Sequence, residues 1–581
     1  MRFLRAICLA AWALTAPLAA AFAQTAPPAV APILTNTARF LPVIAKHGMV
    51  ASQEKRATRV GVEILKAGGN AIDAAVAVGF ALAVTHPQAG NIGGGGFMLV
   101  HLSRRNETIA IDYRETAPAA MTRESFLDGN GEADPKKSRD SALGVGVPGT
   151  VAGLALAHEK YGSGKFTLAQ LMAPAIRLAR EGFEVDDELA DTLPRAQLRL
   201  ARWPASAKIF LKSDGTALTR GDRLVQTDLA NSLETIATAG PRAFYEGPLA
   251  EKIAAGVRAN GGIMTADDLK NYQAIVRPAV RGSYRGYDIA SMPPPSSGGV
   301  HLIQILNVLE GFPLRELGAG SAAAYHLMIE AMKPAYADRA QFLGDPAFVK
   351  VPVAGLTSKR YAAELRKAID PDRARPAQEI RAGNPAPHEG DNTTHFSAVD
   401  SEGNAVANTY TLNFFYGLGL VADGTGILLN NELDDFAAKP GAPNAFGLVG
   451  SEANAPGPGK RPLSSMSPTI VFRDGRVFLV TGTHGGSRII TMVAQVILNA
   501  IDHQMNIAEA VAAPRIHHQW LPDQVDAESG LSPDTIRLLE ARGHKIAVGR
   551  TFGSANSIMV TPDGLTGAAD PRQRGTLAEG Y

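Results

Sequence analysis

The stretch TTHFSAVD at residues 393–400 constrains the fold more than any other part of the sequence. Together with the turn SEGN at 401–404 and the strand-like residues 405–412, it predicts a β-hairpin. The preceding residues 371–392 contain several prolines and few large apolar side chains, which is typical of an exposed, mobile segment. A threonine therefore stands at the junction between a segment predicted to be mobile and a predicted strand.

Thr393, the residue at this junction, has a possible chemical role that an interior threonine lacks. If the Asn392–Thr393 bond were cut, Thr393 would carry a free α-amine beside its own hydroxyl. Such an amine has a pKa of about 7.7–8.0, so its neutral fraction near pH 7 can accept the hydroxyl proton. The same local pattern also fits a β-branched residue that merely begins a strand.

Further elements are predicted on both sides of the hairpin. Residues 71–84 form an Ala- and Val-rich helical pattern, and the glycine-rich run 91–96 precedes a strand at 97–100. A helical pattern over 321–343 contains Pro334, which is expected to kink or divide it. No internal repeat at solenoid periods is present.

The composition of the 581 residues excludes several classes of protein. Lys and Arg number 57 against 56 Asp and Glu, for a net charge of +1, and 45% of the residues are hydrophobic. This balance argues against a dedicated nucleic-acid surface and against an acidic disordered chain. A small-molecule enzyme or a binding protein is the class that remains.

The N-terminus has the pattern of a secretory signal peptide. Arg2 and Arg5 precede an apolar run over 6–20, and Ala-Phe-Ala at 21–23 is a small-x-small cleavage site. The apolar run is short for a bilayer-spanning helix. Cys8 is the only cysteine, so the mature chain would have no disulfide, thiolate nucleophile or cysteine-bound metal.

Several motifs around the hairpin resemble the γ-glutamyltranspeptidase family in order and approximate spacing. The resemblance covers nearly the whole mature chain. Its motifs are TTH at 393–395, NNELDDF at 430–436, RPLSSMSP at 461–468 and GGSR at 485–488, with NIGGGG at 91–96 and DYRE at 112–115 upstream.

This resemblance implies an α+β fold, the four-layer αββα sandwich of N-terminal-nucleophile hydrolases. It implies a precursor that cleaves itself between Asn392 and Thr393 into a large subunit, 24–392, and a small catalytic subunit, 393–581, after loss of the signal peptide 1–23. The two subunits would remain one intertwined globular unit. No cofactor or metal is implied.

The activity implied is hydrolysis of glutathione and other γ-glutamyl compounds, or γ-glutamyl transfer to an amino acid or peptide, through a γ-glutamyl ester on Thr393. Thr411 would hydrogen-bond this nucleophile. The backbone N–H groups of Gly485 and Gly486 would stabilise the oxyanion. We further expect a periplasmic location without a membrane anchor. We expect no nucleic-acid partner.

The family resemblance also assigns a pocket for the α-amino acid head group of the substrate. The guanidinium of Arg114 can bind a carboxylate with a planar pair of donors that lysine lacks. By the resemblance, Ser464 and Ser465 assist it. The residues assigned to the α-ammonium group are Asn413, Glu432 and Asp435.

Three positions depart from the family pattern. His484 stands where proline often precedes the glycine pair, which bears on the rigidity of that turn. Phe414 to Tyr416 are bulkier than in many bacterial members, which bears on acceptor preference. Residues 440–451 resemble a lid loop, with Phe446 at the expected tyrosine position.

Competing patterns are weaker. GVGVPG at 144–149 formally matches a dinucleotide-binding loop, but Pro148 disrupts the turn and no clean βαβ unit surrounds it. His503, His517 and His518 lack the spacing of a zinc site. No GxSxG motif supports a serine triad.

Two alternatives stay open: a related glutaryl or cephalosporin-type acylase, and a periplasmic γ-glutamyl-peptide binding protein that does not cleave itself.

Overall fold

The structure is a computed structural model that describes residues 39–383, 394–444 and 447–581. The signal peptide expected at 1–23, both residues of the expected cleavage site, Asn392 and Thr393, and Phe446 lie outside the described residues. The elements given below belong to the unit Phe40–Tyr581.

Most of the strands belong to two antiparallel sheets. Their bounds are β1 (Val43–Ala45), β2 (Met49–Ser52), β3 (Gly95–Leu102), β4 (Glu107–Tyr113), β5 (Phe183–Glu184), β6 (Arg223–Leu224), β7 (Ile275–Pro278), β8 (Val280–Tyr284), β9 (Tyr287–Ser291), β10 (Thr394–Val399), β11 (Ala405–Thr411), β12 (Val421–Ala422), β13 (Ile427–Leu428), β14 (Thr469–Arg473), β15 (Arg476–Thr481), β16 (Ile516–His517), β17 (Val525–Glu528), β18 (Ile546–Gly549), β19 (Ser557–Thr561), β20 (Gly564–Ala568) and β21 (Leu577–Gly580).

The helices pack against these sheets and against one another. Their bounds are α1 (Lys55–Lys66), α2 (Ala71–Thr85), α3 (Pro135–Arg139), α4 (Thr150–Tyr161), α5 (Leu168–Glu181), α6 (Asp187–Ala201), α7 (Pro204–Phe210), α8 (Thr227–Ala239), α9 (Arg242–Tyr245), α10 (Pro248–Ala259), α11 (Ala266–Lys270), α12 (Gly298–Leu309), α13 (Leu314–Leu317), α14 (Ala322–Phe342), α15 (Val353–Leu356), α16 (Lys359–Lys367), α17 (Ile489–Ile501), α18 (Ile507–Ala512) and α19 (Pro533–Ala541). In the described residues, no helix is both long and apolar enough to cross a membrane.

The predicted hairpin forms the centre of one of the sheets. β10 pairs antiparallel with β11, and Thr394 lies opposite Tyr410. The strand order of this sheet is β21-β2-β10-β11-β3-β4-β7, and that of the other sheet is β1-β20-β19-β15-β14-β9-β8. The hairpin predicted from residues 393–412 is therefore confirmed over Thr394–Thr411, and it is buried from both sides.

The alternation of side chains along the central strands explains the layers. In β3, Phe97 and Leu99 pack into the core between the two sheets, whereas Met98 and Val100 pack into the helix-covered core. Successive strand residues point to opposite faces, so a strand that is apolar throughout needs a cover on both sides. α2 packs on β10 and β11, and α12 packs on β8 and β9 of the second sheet. The result is a four-layer αββα sandwich.

The predicted break at Pro334 is not present as a division of the helix. α14 runs as one element with Pro334 inside it, and the helix is buried along most of its length. Proline in a helix interior costs roughly 3 kcal/mol. We attribute the continuity of α14 to burial on all sides, which outweighs that cost.

Candidate active site

The C-terminal end of β11 opens onto a cavity of about 540 Å³. Thr411 and Asn413 line it from the hairpin side, and Gly485 and Gly486 line it from the segment before α17. The Thr411 hydroxyl oxygen accepts a hydrogen bond from the Asn413 backbone N–H at 2.7 Å. Four of the residues expected at the catalytic centre and its edge therefore lie around one cavity.

The glycine-rich run at 91–96 lies directly against this strand end. A Cβ atom on Gly94 would lie 2.0 Å from the Thr411 carbonyl oxygen, so only glycine fits there. The Asn91 amide donates to the same carbonyl at 2.7 Å, and the Gly94 N–H donates to the Asn91 side chain at 2.9 Å. The run thus fixes the end of β11 through close backbone approach.

The two glycines expected to bind the oxyanion form a sharp turn before α17. Gly485 has φ +136° and Gly486 has φ +69°, both in the region that favours glycine. Within the described residues, neither backbone N–H donates to a backbone carbonyl outside regular elements. Because Gly486 also begins a short 3₁₀ turn, its N–H has no acceptor within that turn and can serve a ligand.

Arg114 lies at the centre of a buried cluster of charges. Its guanidinium forms ion pairs with Glu432 and Asp435, and Nε donates to the Pro462 carbonyl at 2.9 Å. A second bond from Nη2 reaches the Leu463 carbonyl at 3.0 Å. Burial alone would lower the pKa of Arg114, but the surrounding carboxylates outweigh it and raise the pKa.

The carboxylates that meet Arg114 come from the short 3₁₀ turn Glu432–Asp435. Asn430 anchors this turn, because its side-chain oxygen accepts from the N–H groups of Gly146 and Glu432. Burial raises the pKa of Glu432 well above its usual range, although Arg114 opposes the shift. In the described residues, Glu432 Oε2 and Asn413 Oδ1 have no hydrogen-bond partner. Glu432 therefore offers an unsatisfied acceptor next to the Arg114 guanidinium, and Asn413 offers another at the cavity.

Glu115 is a buried carboxyl group that the sequence analysis quoted without assigning a role. Neither of its oxygens has a hydrogen-bond partner in the described residues, and the nearest Arg114 nitrogen is 3.8 Å from Oε2. Burial raises the pKa of Glu115 to about 7, while Arg114 opposes the shift and Asp435 adds to it. Its position directly after Arg114 is the only sequence signal that could have singled it out.

We expect Glu115→Gln to become stabilising relative to wild type as the pH rises. The folded-state pKa of about 7 exceeds the ordinary 4.5, so the folded protein holds the proton more tightly than the unfolded chain. Wild type therefore loses stability between pH 4.5 and 7. Urea unfolding at pH 5 and pH 8 should show the variant's advantage growing by about 2–3 kcal/mol. Glu63→Gln, at an exposed position, is the control. An equal difference in unfolding free energy between Glu115→Gln and wild type at both pH values would contradict this prediction.

Ser464 and Ser465 follow the two carbonyls that hold Arg114. The Ser464 N–H donates to the Pro295 carbonyl at 3.0 Å, and the Ser464 carbonyl accepts from the Ser297 N–H at 2.8 Å. The Ser465 hydroxyl accepts from Arg339 at 3.2 Å. Arg339, which the sequence analysis missed, also lines a smaller cavity of about 140 Å³ with Asp435 and Leu463.

Two of the three histidines considered above as zinc ligands, His517 and His518, have protein partners. The His518 imidazole lies 3.3 Å from Asp523, and His517 Nδ1 lies 2.9 Å from the Thr491 hydroxyl.

A different trio, His326, Glu330 and His544, brings its donor atoms within 4.8 Å of one another. Lys333 donates to Glu330 at 2.7 Å, so an ammonium group already balances this carboxylate. Nδ1 of His326 and Nε2 of His544 are 2.8 Å apart and form a hydrogen bond with each other.

Comparison with known proteins places the chain in a family. The family model for gamma-glutamyltranspeptidase matches residues 57–580. The glutathione hydrolase proenzyme of Escherichia coli (strain K12) is 57% identical over 543 residues, which cover 93% of each chain. The acylase ACY 1 proenzyme of Pseudomonas sp. (strain SE83) is 40% identical over 544 residues, covering 92% of this chain and 94% of that one.

A solved structure shares the architecture. The cephalosporin acylase from Bacillus halodurans matches with a TM-score of 0.83 and 30% identity, covering 96% of this chain and 99% of that chain. The fold is accordingly the αββα sandwich of N-terminal-nucleophile hydrolases, as the family resemblance implied. With a family model spanning most of its length and a relative this similar, the chain belongs to the gamma-glutamyltranspeptidase family.

Proposed function

We propose that this protein hydrolyses glutathione and related γ-glutamyl compounds and transfers the γ-glutamyl group to amino acid or peptide amines. The observation that carries the proposal is the buried cluster in which Arg114 meets Glu432 and Asp435. Such a cluster complements an α-amino acid head group, which carries one positive and one negative charge. An acyl group without the α-amine would match only half of it.

Substrate binding would proceed by exchange of ion pairs. In the structure, Glu432 and Asp435 occupy the two ends of the Arg114 guanidinium. The substrate α-ammonium would draw these carboxylates to itself, with Asn413 as a further acceptor, and the substrate α-carboxylate would take their place on Arg114. Ser464 and Ser465 would donate to that carboxylate. Net charge is conserved in this exchange, so no uncompensated charge is left buried.

The nucleophile would be the hydroxyl of Thr393. Thr394 lies opposite Tyr410, the neighbour of Thr411, and residue 393 can be only about 3.8 Å from Thr394 along the chain. We therefore propose that Thr393 acts beside Thr411. Because the Thr411 oxygen accepts from Asn413, its own O–H remains able to donate to Thr393.

Self-cleavage would create the active form. The Thr393 oxygen attacks the Asn392 carbonyl carbon, the C–N bond breaks, and the amine takes up the proton that the hydroxyl gave up. Water then hydrolyses the resulting ester, which releases the Asn392 carboxylate and restores the hydroxyl. The free α-amine of Thr393 is the base for later turnover.

In turnover, the α-amine accepts the hydroxyl proton as the Thr393 oxygen attacks the γ-carbonyl. The Gly485 and Gly486 N–H groups stabilise the oxyanion, a contribution of about 3–4 kcal/mol per donor. The leaving amine departs with the proton held by the α-amine. Water or an acceptor amine then attacks the γ-glutamyl ester and regenerates Thr393.

The same proposal sets the boundaries and the location of the enzyme. Residues 1–23 would be removed on export, leaving subunits 24–392 and 393–581 from one precursor. We assign the processed enzyme to the periplasm, on the strength of the N-terminal pattern. The related proenzymes of Escherichia coli and Pseudomonas support a two-subunit product.

A matched pair of substrates separates the γ-glutamyl proposal from the acylase alternative. γ-Glutamyl-p-nitroanilide and glutaryl-p-nitroanilide differ only in the α-amine. We expect kcat/KM for the γ-glutamyl compound to be larger by at least about a hundredfold. The glutaryl compound has no α-amine, so its binding would leave buried carboxylates unpaired. Added glycylglycine should yield a γ-glutamyl-glycylglycine product, which mass spectrometry detects.

The opposite preference would overturn the proposal in favour of the acylase reaction named for the Pseudomonas and Bacillus relatives. A folded, uncut protein that binds γ-glutamyl compounds without turnover would instead favour the binding-protein alternative.

A further inference from the structure

His484, which immediately precedes the glycines of the proposed oxyanion site, lies between two glutamines from opposite ends of the chain. Gln53 Nε2 donates to Nδ1 of the imidazole at 2.6 Å. Gln573 places its side-chain amide 3.2 Å from Nε2 of the same ring. We call Gln53, His484 and Gln573 the His484 bridge.

The hydrogen-bond chemistry of the bridge defines the state of the ring. The Gln53 amide nitrogen can only donate, so Nδ1 accepts and a neutral imidazole carries its proton on Nε2. That proton faces the Gln573 amide nitrogen, while the Gln573 oxygen is buried without a partner in the described residues. A half-turn of this amide places its oxygen against Nε2–H and satisfies both groups. Burial lowers the pKa of His484 to about 4, so the neutral ring is the form present near pH 7.

The backbone next to the bridge has few other side-chain anchors. The Thr483 hydroxyl donates to the His484 carbonyl at 2.9 Å and accepts from the Ser554 N–H at 2.9 Å. Gly485 and Gly486 have no side chains and adopt positive φ angles. The imidazole is therefore the last side chain that can fix the turn before the two glycine N–H groups.

We propose that His484 is a positioning residue: the His484 bridge holds the turn so that the N–H groups of Gly485 and Gly486 point at the developing oxyanion. The inference rests on the proposed function, because it assumes acyl transfer at this cavity. Gln53 belongs to the proposed large subunit and Gln573 to the small one, so the bridge ties the turn to both.

The test compares kcat and KM for γ-glutamyl-p-nitroanilide in processed variants. His484→Ala should lower kcat about tenfold and leave KM within about twofold, because the Arg114 cluster is untouched. Gln53→Ala and Gln573→Ala should each lower kcat about three- to fivefold. Gln226→Ala is the matched control: its buried amide donates to the Val84 carbonyl at 2.8 Å, and its loss should lower the melting temperature but not kcat.

Two further variants separate positioning from general stability. His484→Asn keeps an acceptor near the position of Nδ1 and should recover most of the lost kcat. The double variant His484→Ala/Gln53→Ala should be no slower than His484→Ala alone, because His484→Ala already breaks the hydrogen bond that Gln53 makes. If His484→Ala does not self-cleave, the two glutamine variants carry the test, since they leave the turn sequence intact.

Unchanged kcat in the processed variants, beside an active wild type, would overturn the inference. An equal loss in Gln226→Ala would overturn it too. Wild type that is inactive on every γ-glutamyl donor would instead refute the proposed function itself.

Discussion

Thr393→Ala is expected to leave a single uncut chain with no measurable γ-glutamyl hydrolysis. The variant lacks the hydroxyl that must attack the Asn392 carbonyl, and without cleavage no free α-amine forms to act as base. Both losses stem from one oxygen atom. Denaturing electrophoresis and the p-nitroanilide assay measure them separately.

Two control variants define the result. Thr393→Ser keeps a hydroxyl and should self-cleave. Thr394→Val should self-cleave as well, because the Thr394 hydroxyl has no hydrogen-bond partner among the described residues. Self-cleavage of Thr393→Ala at the same bond would contradict the mechanism.

Arg114→Lys is expected to lower kcat/KM for the γ-glutamyl donor about a hundredfold, mainly through KM. Lysine keeps the positive charge among Glu115, Glu432 and Asp435 but cannot present two parallel donors to a carboxylate. Losing one charge-assisted hydrogen bond at a buried site costs about 3 kcal/mol, which corresponds to this factor. Steady-state kinetics with the anilide substrate measure it.

Arg285→Lys is the matched control, because Arg285 pairs with Asp502 at 2.5 Å outside the candidate site. It should leave kcat/KM within about twofold. If Arg114→Lys leaves the KM for the donor unchanged, Arg114 does not bind the substrate. Arg114→Leu is a poorer test, since it strands three buried carboxyl groups and is expected to destabilise the fold by about 3–5 kcal/mol.

Much of the hairpin and its surroundings could be predicted from sequence because the signals there are local. Strand and turn residues are contiguous over 394–412, and the predicted helix 71–84 is α2, Ala71–Thr85. Asn70 caps α2 by accepting from the N–H groups of Ile72 and Asp73, as its residue type favours. The glycine-rich run 91–96 was predicted to precede a strand, and the structure shows that Gly94 in this run approaches the Thr411 carbonyl oxygen closely.

The features of the site and fold that the sequence could not predict depend on contacts between residues far apart in the chain. Gln53 and His484 are 431 positions apart, and Arg114 and Asp435 are 321 apart, so no spacing rule reveals either pair. Sequence reasoning placed Arg114 and Asp435 in the same pocket on family resemblance, but not their direct ion pair. The expectation that Pro334 divides the helix was wrong for a related reason, because the packing that keeps α14 continuous is tertiary.

The central claim is that Thr393 is both the new N-terminus and the residue whose hydroxyl oxygen carries the γ-glutamyl group in the acyl-enzyme. Mass spectrometry of wild type, quenched in acid during turnover of a γ-glutamyl donor, tests it most directly. The account predicts a small subunit that begins at Thr393, part of which is heavier by one γ-glutamyl group located on that residue. A chain that turns over donor while uncut, or an adduct on any other residue, would contradict it.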